Sequence, residues 1–290
     1  MRNRGYWFVF LAACLWGTNG TAQALAPQAA QPLIIGTLRI ALGGLTLLAI
    51  AGMRGVLRDG QRWRFWPTLF GALSMAAYQL FFFAGVERTG VAVGTIVGIG
   101  STPILAGPIG YLVRGEKPGR HWMAATLLGL LGCGLLIAVG RDIELDLLGI
   151  LLATCAGGSY AVFTTASKSL IEKHAPEAVM AVTFSLGALF VLPLLISRPL
   201  SWLAQPNGWL VILHLGVITA ALAYILFAYG LQRVPVATAA TLTLAEPLTA
   251  GLLGFFFLRE PLSLPALLGI ALIFAGLVVL STEGVDVSEV

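Results

Sequence analysis

Charge is scarce in this chain: Asp, Glu, Lys and Arg make up 10% of its 290 residues, against about 25% in an ordinary soluble domain. A water-soluble globule is excluded. Polar stretches are short too. The longest, residues 53–64 and 197–208, hold 12 residues each, too few for a catalytic or ATP-hydrolysing domain outside a membrane. Histidine and cysteine number only three apiece. His121, His174 and His214 have no companions at metal-ligand spacing. Cys14, Cys133 and Cys155 lie in apolar runs, where they read as small packing residues rather than ligands or a disulfide. Walker A, H-E-x-x-H and G-x-S-x-G motifs are missing. Gly157-Gly158-Ser159-Tyr160-Ala161 lacks the second glycine of the last and sits in a helical run. No enzyme, catalytic residue, metal or cofactor is expected. The net charge of +4 comes from residues placed mostly in loops, which points away from nucleic acid.

What is abundant is apolar surface, 58% of residues with mean hydropathy +0.91. About 20 apolar residues cross a bilayer as a helix, and the runs predict ten spans. They lie near 5–25, 33–52, 65–86, 91–113 and 121–139, then 147–167, 177–197, 209–231, 236–258 and 263–282. An even number of spans puts both termini on one face, and the positive-inside rule selects that face. With the N-terminus inside, 12 of the 17 basic residues fall in inner segments: Arg2, Arg4, Arg54, Arg58, Arg62, Arg64, Arg114, Lys117, Arg120, Lys168, Lys173 and Arg233. Arg88, Arg141, Arg198 and Arg259 fall outside and Arg39 within a span. An N-in, C-in bacterial inner-membrane protein is expected.

Arg2, Arg4, the apolar run from Gly5 and Ala22-Gln23-Ala24 also look like a cleavable leader. An internal repeat argues that the first helix is retained. Leu11, Ala12, Cys14 and Gly17 match Leu152, Ala153, Cys155 and Gly158 at an offset of 141. Gly71, Gly85, Arg88, Val91 and Ala92 match Gly216, Gly230, Arg233, Val236 and Ala237 at 145, and Pro103 and Glu116 then meet Pro247 and Glu260. The reading is two five-helix repeats, 1–140 and 141–290, the second ending in a short acidic tail. Five is odd, so the repeats are inverted, which in secondary transporters puts the substrate site near the midplane between them.

Charges at membrane depth cost about 2.5–3.5 kcal/mol on insertion scales, and there are two. Glu246 lies mid-way along the ninth span beside Pro247. It reads as a proton-binding carboxyl, as a partner for a substrate ammonium, or as a carboxyl that pins the proline kink. Arg39 lies about 10 Å from the outer edge at 1.5 Å per residue, so snorkelling or pairing with a carbonyl is expected for it. Helical spacing sets Trp16, Asn19 and Gln23 on one face, with repeat partners Gly157, Tyr160 and Thr164 beside Phe163. Tyr78, Gln79 and Phe82 on the third span and Tyr224 and Phe227 on the eighth complete a candidate substrate cavity. Such a cavity stacks an apolar or aromatic side chain and hydrogen-bonds a polar head. Gly94 and Gly98 form a G-x-x-x-G pair, and Pro103 and Pro247 are expected to break equivalent helices. These four are the candidate hinges.

The double repeat, Trp16-Gly17-x-Asn19 in the first helix and a late Glu246-Pro247 followed by Arg259-Glu260-Pro261 make the whole chain resemble the drug/metabolite transporter superfamily. Its EamA-type exporters are the nearest branch, and aromatic amino acid exporters of the YddG type the nearest group in it. The resemblance implies efflux of amino acids and related metabolites through a central cavity holding Trp16, Asn19, Tyr78, Tyr160, Phe163, Tyr224 and Glu246. Phosphorylated substrates, which other members carry, call for Arg or Lys at the site, and here Lys117, Lys168 and Lys173 lie in loops or at span ends. The small multidrug pumps of the superfamily use a carboxylate in the first helix, where this chain has Trp16 and Asn19, so proton exchange and uniport both stay open. The expected partners are a small-molecule substrate and the bilayer. A cationic aromatic drug is the alternative substrate and a membrane scaffold the alternative role. Oligomeric state has no signature in the sequence.

Overall fold

The computed structural model describes residues 3–58, 60–137, 146–196, 198–258 and 263–282. Arg2, Arg141, Arg259, Glu260, Pro261, the junction between the two repeats and the acidic tail lie outside them. No strand occurs among the described residues, as the apolar runs require: in a bilayer every backbone polar group must be satisfied within its own segment.

Eight helices are long and apolar enough to cross a membrane. They are α2 (Pro32–Met53), α3 (Phe65–Gly90), α4 (Val93–Arg114), α6 (Leu147–Ile171), α7 (Pro176–Leu195), α8 (Pro206–Leu231), α9 (Val236–Phe257) and α10 (Leu264–Ser281). Two further helices, α1 (Asn3–Ala24) and α5 (Arg120–Ile137), fall outside that set. Thr18, Asn19, Thr21 and Gln23 dilute the apolar character of α1. Proline in the first turn starts α2, α7 and α8, where its missing N–H costs nothing. Asp146 caps α6 by accepting from Gly149 N at 2.8 Å. Gly90, at φ 80 and ψ 160, separates α3 from α4, a backbone geometry suited to glycine.

The interior is apolar but holds many threonines, while large apolar side chains also cover the outside. Buried positions include Thr37, Thr102, Thr164, Thr165, Thr183, Thr219, Thr238 and Thr243, whereas Leu45, Leu112, Phe256 and Phe257 are at least 64% exposed. Apolar side chains turn outward because hydrocarbon surrounds the bundle. Interior threonines close their hydroxyls on their own helix, as Thr164 does on the Tyr160 carbonyl and Thr183 on Val179. Helix packing is symmetric between the two sets of five: α1 lies against α8 and α9, α6 against α3 and α4, α2 against α7, and α5 against α10. Repeat-equivalent glycines make equivalent crossings. A Cβ on Gly85 of α3 would sit 2.9 Å from the Ala153 nitrogen of α6, and one on Gly230 of α8 would sit 2.8 Å from the Gly5 carbonyl oxygen of α1. Small residues let the backbones meet, which is how helices associate in lipid.

Candidate functional site

Where the two sets of helices meet, a cavity of about 20 Å³ is lined by Trp16, Tyr78, Ile99, Thr102, Tyr160, Tyr224, Thr243 and Glu246. That is room for a single water. Aromatic rings fill the space around it. Trp16 packs on Tyr224 at 4.8 Å and Phe227 at 5.4 Å between centroids, and Tyr160 lies 5.4 Å from Tyr78 and 5.8 Å from Phe163. Trp16 is fixed by its indole N–H, which donates to the Thr219 carbonyl at 2.9 Å. The Tyr160 hydroxyl lies beside that of Tyr224, and Asn19 Oδ1 is buried without a hydrogen-bond partner.

Glu246 stands at a discontinuity in α9. The helix runs over Val236–Leu242, breaks, and resumes at Ala245. Around the break the bonds tighten to three-residue spacing, Leu244 N to Thr241 O at 3.0 Å and Glu246 N to Thr243 O at 2.9 Å. Pro247 has no N–H to give to the Thr243 carbonyl, so the chain turns there and both Thr243 and Glu246 face the cavity. Gly17 makes the approach of α1 possible, since a Cβ on it would come within 2.5 Å of Thr249 Cβ and 2.9 Å of the Glu246 carbonyl. The close crossing brings the Asn19 amide to the Glu246 carboxyl as its hydrogen-bond partner.

Of the residues picked out by sequence, Trp16, Tyr78, Tyr160, Tyr224 and Glu246 line the cavity. Phe163 and Phe227 are fully buried behind it, and Phe82 stacks on Tyr78 at 5.6 Å. Gln79 turns away, donating to the Gly36 carbonyl of α2 at 2.9 Å. Ile99, Thr102 and Thr243 line the cavity without having been picked out, and three residues around it were not foreseen as part of the site. Phe184 packs on Tyr224 at 4.5 Å. Thr219 sits in a π-helical segment of α8, His214–Leu222, a distortion with no sequence signal and one often found at functional sites. Arg39 donates to the Thr219 hydroxyl at 3.3 Å and to its carbonyl at 3.5 Å. It pairs with a carbonyl, one of its two expected fates, but inside the bundle; its isolation as the sole mid-span arginine was the signal.

The hinge expectation needs one correction. Pro247 accompanies a break, but α4 runs through Pro103 without one. Pro103 leaves the Ile99 carbonyl without its helical donor, and the Ser101 and Thr102 hydroxyls both donate to the neighbouring Gly98 carbonyl at 3.1 Å. Gly94 lets the start of α4 close on Val86 and Thr89 of α3, and Gly98 faces Phe82.

Charged groups concentrate at the face where α4 and α6 end and α9 begins. Glu116 accepts from Lys168 Nζ at 2.8 Å, Arg114 Nε at 2.9 Å and Val236 N at 2.7 Å. Lys168 also donates to the Val234 carbonyl at 2.6 Å, and Arg114 reaches Glu172 at 2.6 Å. Beside this cluster Glu177 joins Arg54 and the Tyr229 hydroxyl. At the opposite face the one ion pair among the described residues is Arg88 with Asp146 at 3.2 Å. Burial pushes the Glu116 carboxyl up, but the Lys168 ammonium, the Arg114 guanidinium and the Val236 N–H outweigh it and hold it below the usual carboxylate range. A carboxyl depressed in the folded state contributes stability above its unfolded pKa and loses it as pH falls through the folded value. The melting temperature should therefore drop as pH falls below about 4.3, the ordinary glutamate value. Glu116→Gln should lower it at neutral pH and flatten that part of the profile, as thermal melts in detergent would read. A partly exposed cluster of this kind is worth about 1–2 kcal/mol, less than the 3–5 of a fully buried pair.

Comparison with known proteins bears on this geometry. The pattern of the EamA-like transporter family matches twice, over residues 3–138 and 147–282. The chain is 44% identical to the uncharacterized transporter YwfM of Bacillus subtilis (strain 168), an alignment covering 94% of this chain and 92% of that protein. It is 30% identical to the threonine/homoserine exporter RhtA of Escherichia coli (strain K12), over 91% of this chain and 86% of the exporter. A solved crystal structure superimposes with a TM-score of 0.82 at 24% identity, covering 96% of each chain, and so shares the fold.

Proposed function

Because the chain belongs to the EamA-like transporter family and is therefore a multi-pass membrane transporter, we propose that it exports neutral amino acids, aromatic ones included, and related small metabolites. The observation that carries this reading is the cavity itself: four aromatic side chains, two threonines and one carboxyl at Glu246, with no lysine among its lining residues. Rings and threonine hydroxyls suit an uncharged side chain of modest size, and a carboxyl suits an ammonium. Phe82, Phe163 and Phe227 back the rings, and Asn19 orients Glu246. A relative named as a threonine/homoserine exporter supports the amino acid class.

In this reading ten helices span a bacterial inner membrane as two inverted repeats, 1–140 and 141–290, with the face bearing Arg54, Arg114 and Lys168 in the cytoplasm. The site is contracted, and alternating access opens it to each side in turn without ATP, by secondary coupling or facilitation. Gly94, Gly98 and the α9 break at Pro247 are where the helices bend. Purified protein in liposomes should exchange labelled threonine, leucine or phenylalanine at least ten-fold faster than empty liposomes; equal rates for all three would refute amino acid transport. A cationic aromatic substrate is the second reading, favoured by a carboxyl among rings. It predicts that Glu246→Gln abolishes uptake of such a cation while sparing neutral amino acids.

A further inference from the structure

Arg39 has no evident structural duty equal to its cost. A guanidinium within a span carries a penalty of about 2.5–3.5 kcal/mol, yet its bonds to Thr219 are long, 3.3 and 3.5 Å. Among the described residues no carboxylate lies within 4 Å of it, since the five ion pairs are made by other side chains. A guanidinium holds five N–H donors in a planar fork, and Thr219 with the adjacent Tyr224 hydroxyl leaves part of that fork unspent. Arg39 is also anchored to the cavity wall. The Thr219 carbonyl that accepts from it accepts the Trp16 indole as well, and Trp16 and Tyr224 both line the cavity.

Among the described residues the other ionisable acid at this depth, Glu246, is within electrostatic reach of Arg39 but is not paired with it. An ionised Glu246 and Arg39 would each gain a partner of opposite charge from a zwitterion lying between them, an attraction that is strong in a low-dielectric interior. Beside Glu246, which the Asn19 side chain bonds, Asn19 Oδ1 is a buried polar atom with no hydrogen-bond partner. Depth agrees. Measured from the face where α2 starts and α9 ends, Arg39 is about 10 Å in and Glu246 about 16 Å, at 1.5 Å per residue. An α-amino acid bonded at both ends would separate its two protein partners by roughly 7–8 Å.

We infer that Arg39 recognises the substrate carboxylate while Glu246 takes the ammonium, so that the cavity selects zwitterions carrying both groups free. The inference rests on the amino acid reading above and goes beyond it by assigning Arg39 to specificity. Its test uses the full-length protein in detergent and three probes: L-phenylalanine, L-phenylalaninamide, which lacks the carboxylate, and N-acetyl-L-phenylalanine, which lacks the ammonium. Binding is read from quenching of tryptophan fluorescence and from the shift in melting temperature.

Wild type should bind phenylalanine at least ten-fold more tightly than either blocked form. Arg39→Gln should weaken phenylalanine binding at least ten-fold and leave the amide unchanged, erasing the preference for a free carboxylate. Arg39→Lys, which keeps the charge and loses the fork, should restore part of it. Glu246→Gln should weaken phenylalanine and its amide alike. Arg39→Gln that keeps the preference overturns the role of Arg39. If Arg39→Gln does not fold, wild type decides: equal binding of phenylalanine and its amide overturns Arg39 while leaving amino acid transport standing. Binding of neither, together with no flux of any amino acid, overturns both.

Discussion

Trp16→Ala should reduce transport at least ten-fold and cost about 3–5 kcal/mol of stability, the range for truncating a large buried aromatic. Trp16 is 4% exposed, and its ring touches Tyr160, Tyr224 and Phe227. Its removal takes one ring contact from each of the three and leaves the Thr219 carbonyl with one donor fewer. Trp16→Phe separates the two losses. It keeps a ring but deletes the N–H donated to Thr219, worth about 1 kcal/mol, so stability should fall only slightly. If the indole bond also sets the position of Thr219, transport should fall further than stability does. Liposome flux and detergent melting curves on the three proteins measure both quantities. Full transport by Trp16→Ala would remove this residue from the site.

The second large effect lies away from the cavity. Gly230→Leu should prevent the protein from forming a monodisperse bundle, because even a Cβ there would meet Val9 Cγ2 at 2.5 Å and the Gly5 oxygen at 2.8 Å. Backbone cannot step aside as a side chain tip can, so the cost should reach or exceed the 1–3 kcal/mol usual for overpacking. Gly85→Leu should behave alike, since Gly85 meets Ala153 and Gly149 at the equivalent crossing of α3 and α6. Gly52→Leu, with nothing within 4 Å of its Cβ, should leave size-exclusion profiles and melting unchanged. A normal profile for both Gly230→Leu and Gly85→Leu would mean that these crossings are looser than the structure shows.

These two sites differ in how readable they are from sequence. Gly85 and Gly230 stand out because the repeat aligns them, and small residues at matching positions of apolar spans have one main use, close packing. Trp16, Tyr78, Tyr160 and Tyr224 were readable through helical spacing alone. Spacing says which side chains share a face, and it put these four on faces that do meet. It says nothing about which neighbour an individual polar group finds. Gln79 shares its region with Tyr78 and Phe82, yet it bonds the Gly36 carbonyl of α2. A rotation of one residue along the helix, about 100°, sends it to a different neighbour. Pro103 and Pro247 show the same limit. Equivalent in the repeat, one sits in a continuous helix and the other at a break, so the proline alone does not decide whether the helix is interrupted.

The sequence by itself determined that the chain is a helical membrane bundle built from a repeat, because hydropathy and self-similarity are properties of the chain that no packing can alter. It also singled out Glu246 and Arg39 as the two charges at depth. Tertiary structure alone decided what those charges do. Arg39, dismissed on sequence as a snorkelling or carbonyl-bound residue, points through the α2–α8 interface to Thr219 beside Trp16. That outcome depends on a π-helical stretch of α8 and on the crossing of α1 with α8 and α9. Both are consequences of how helices far apart in the chain fit together, and interactions between residues some 180 positions apart leave no trace in local composition or period.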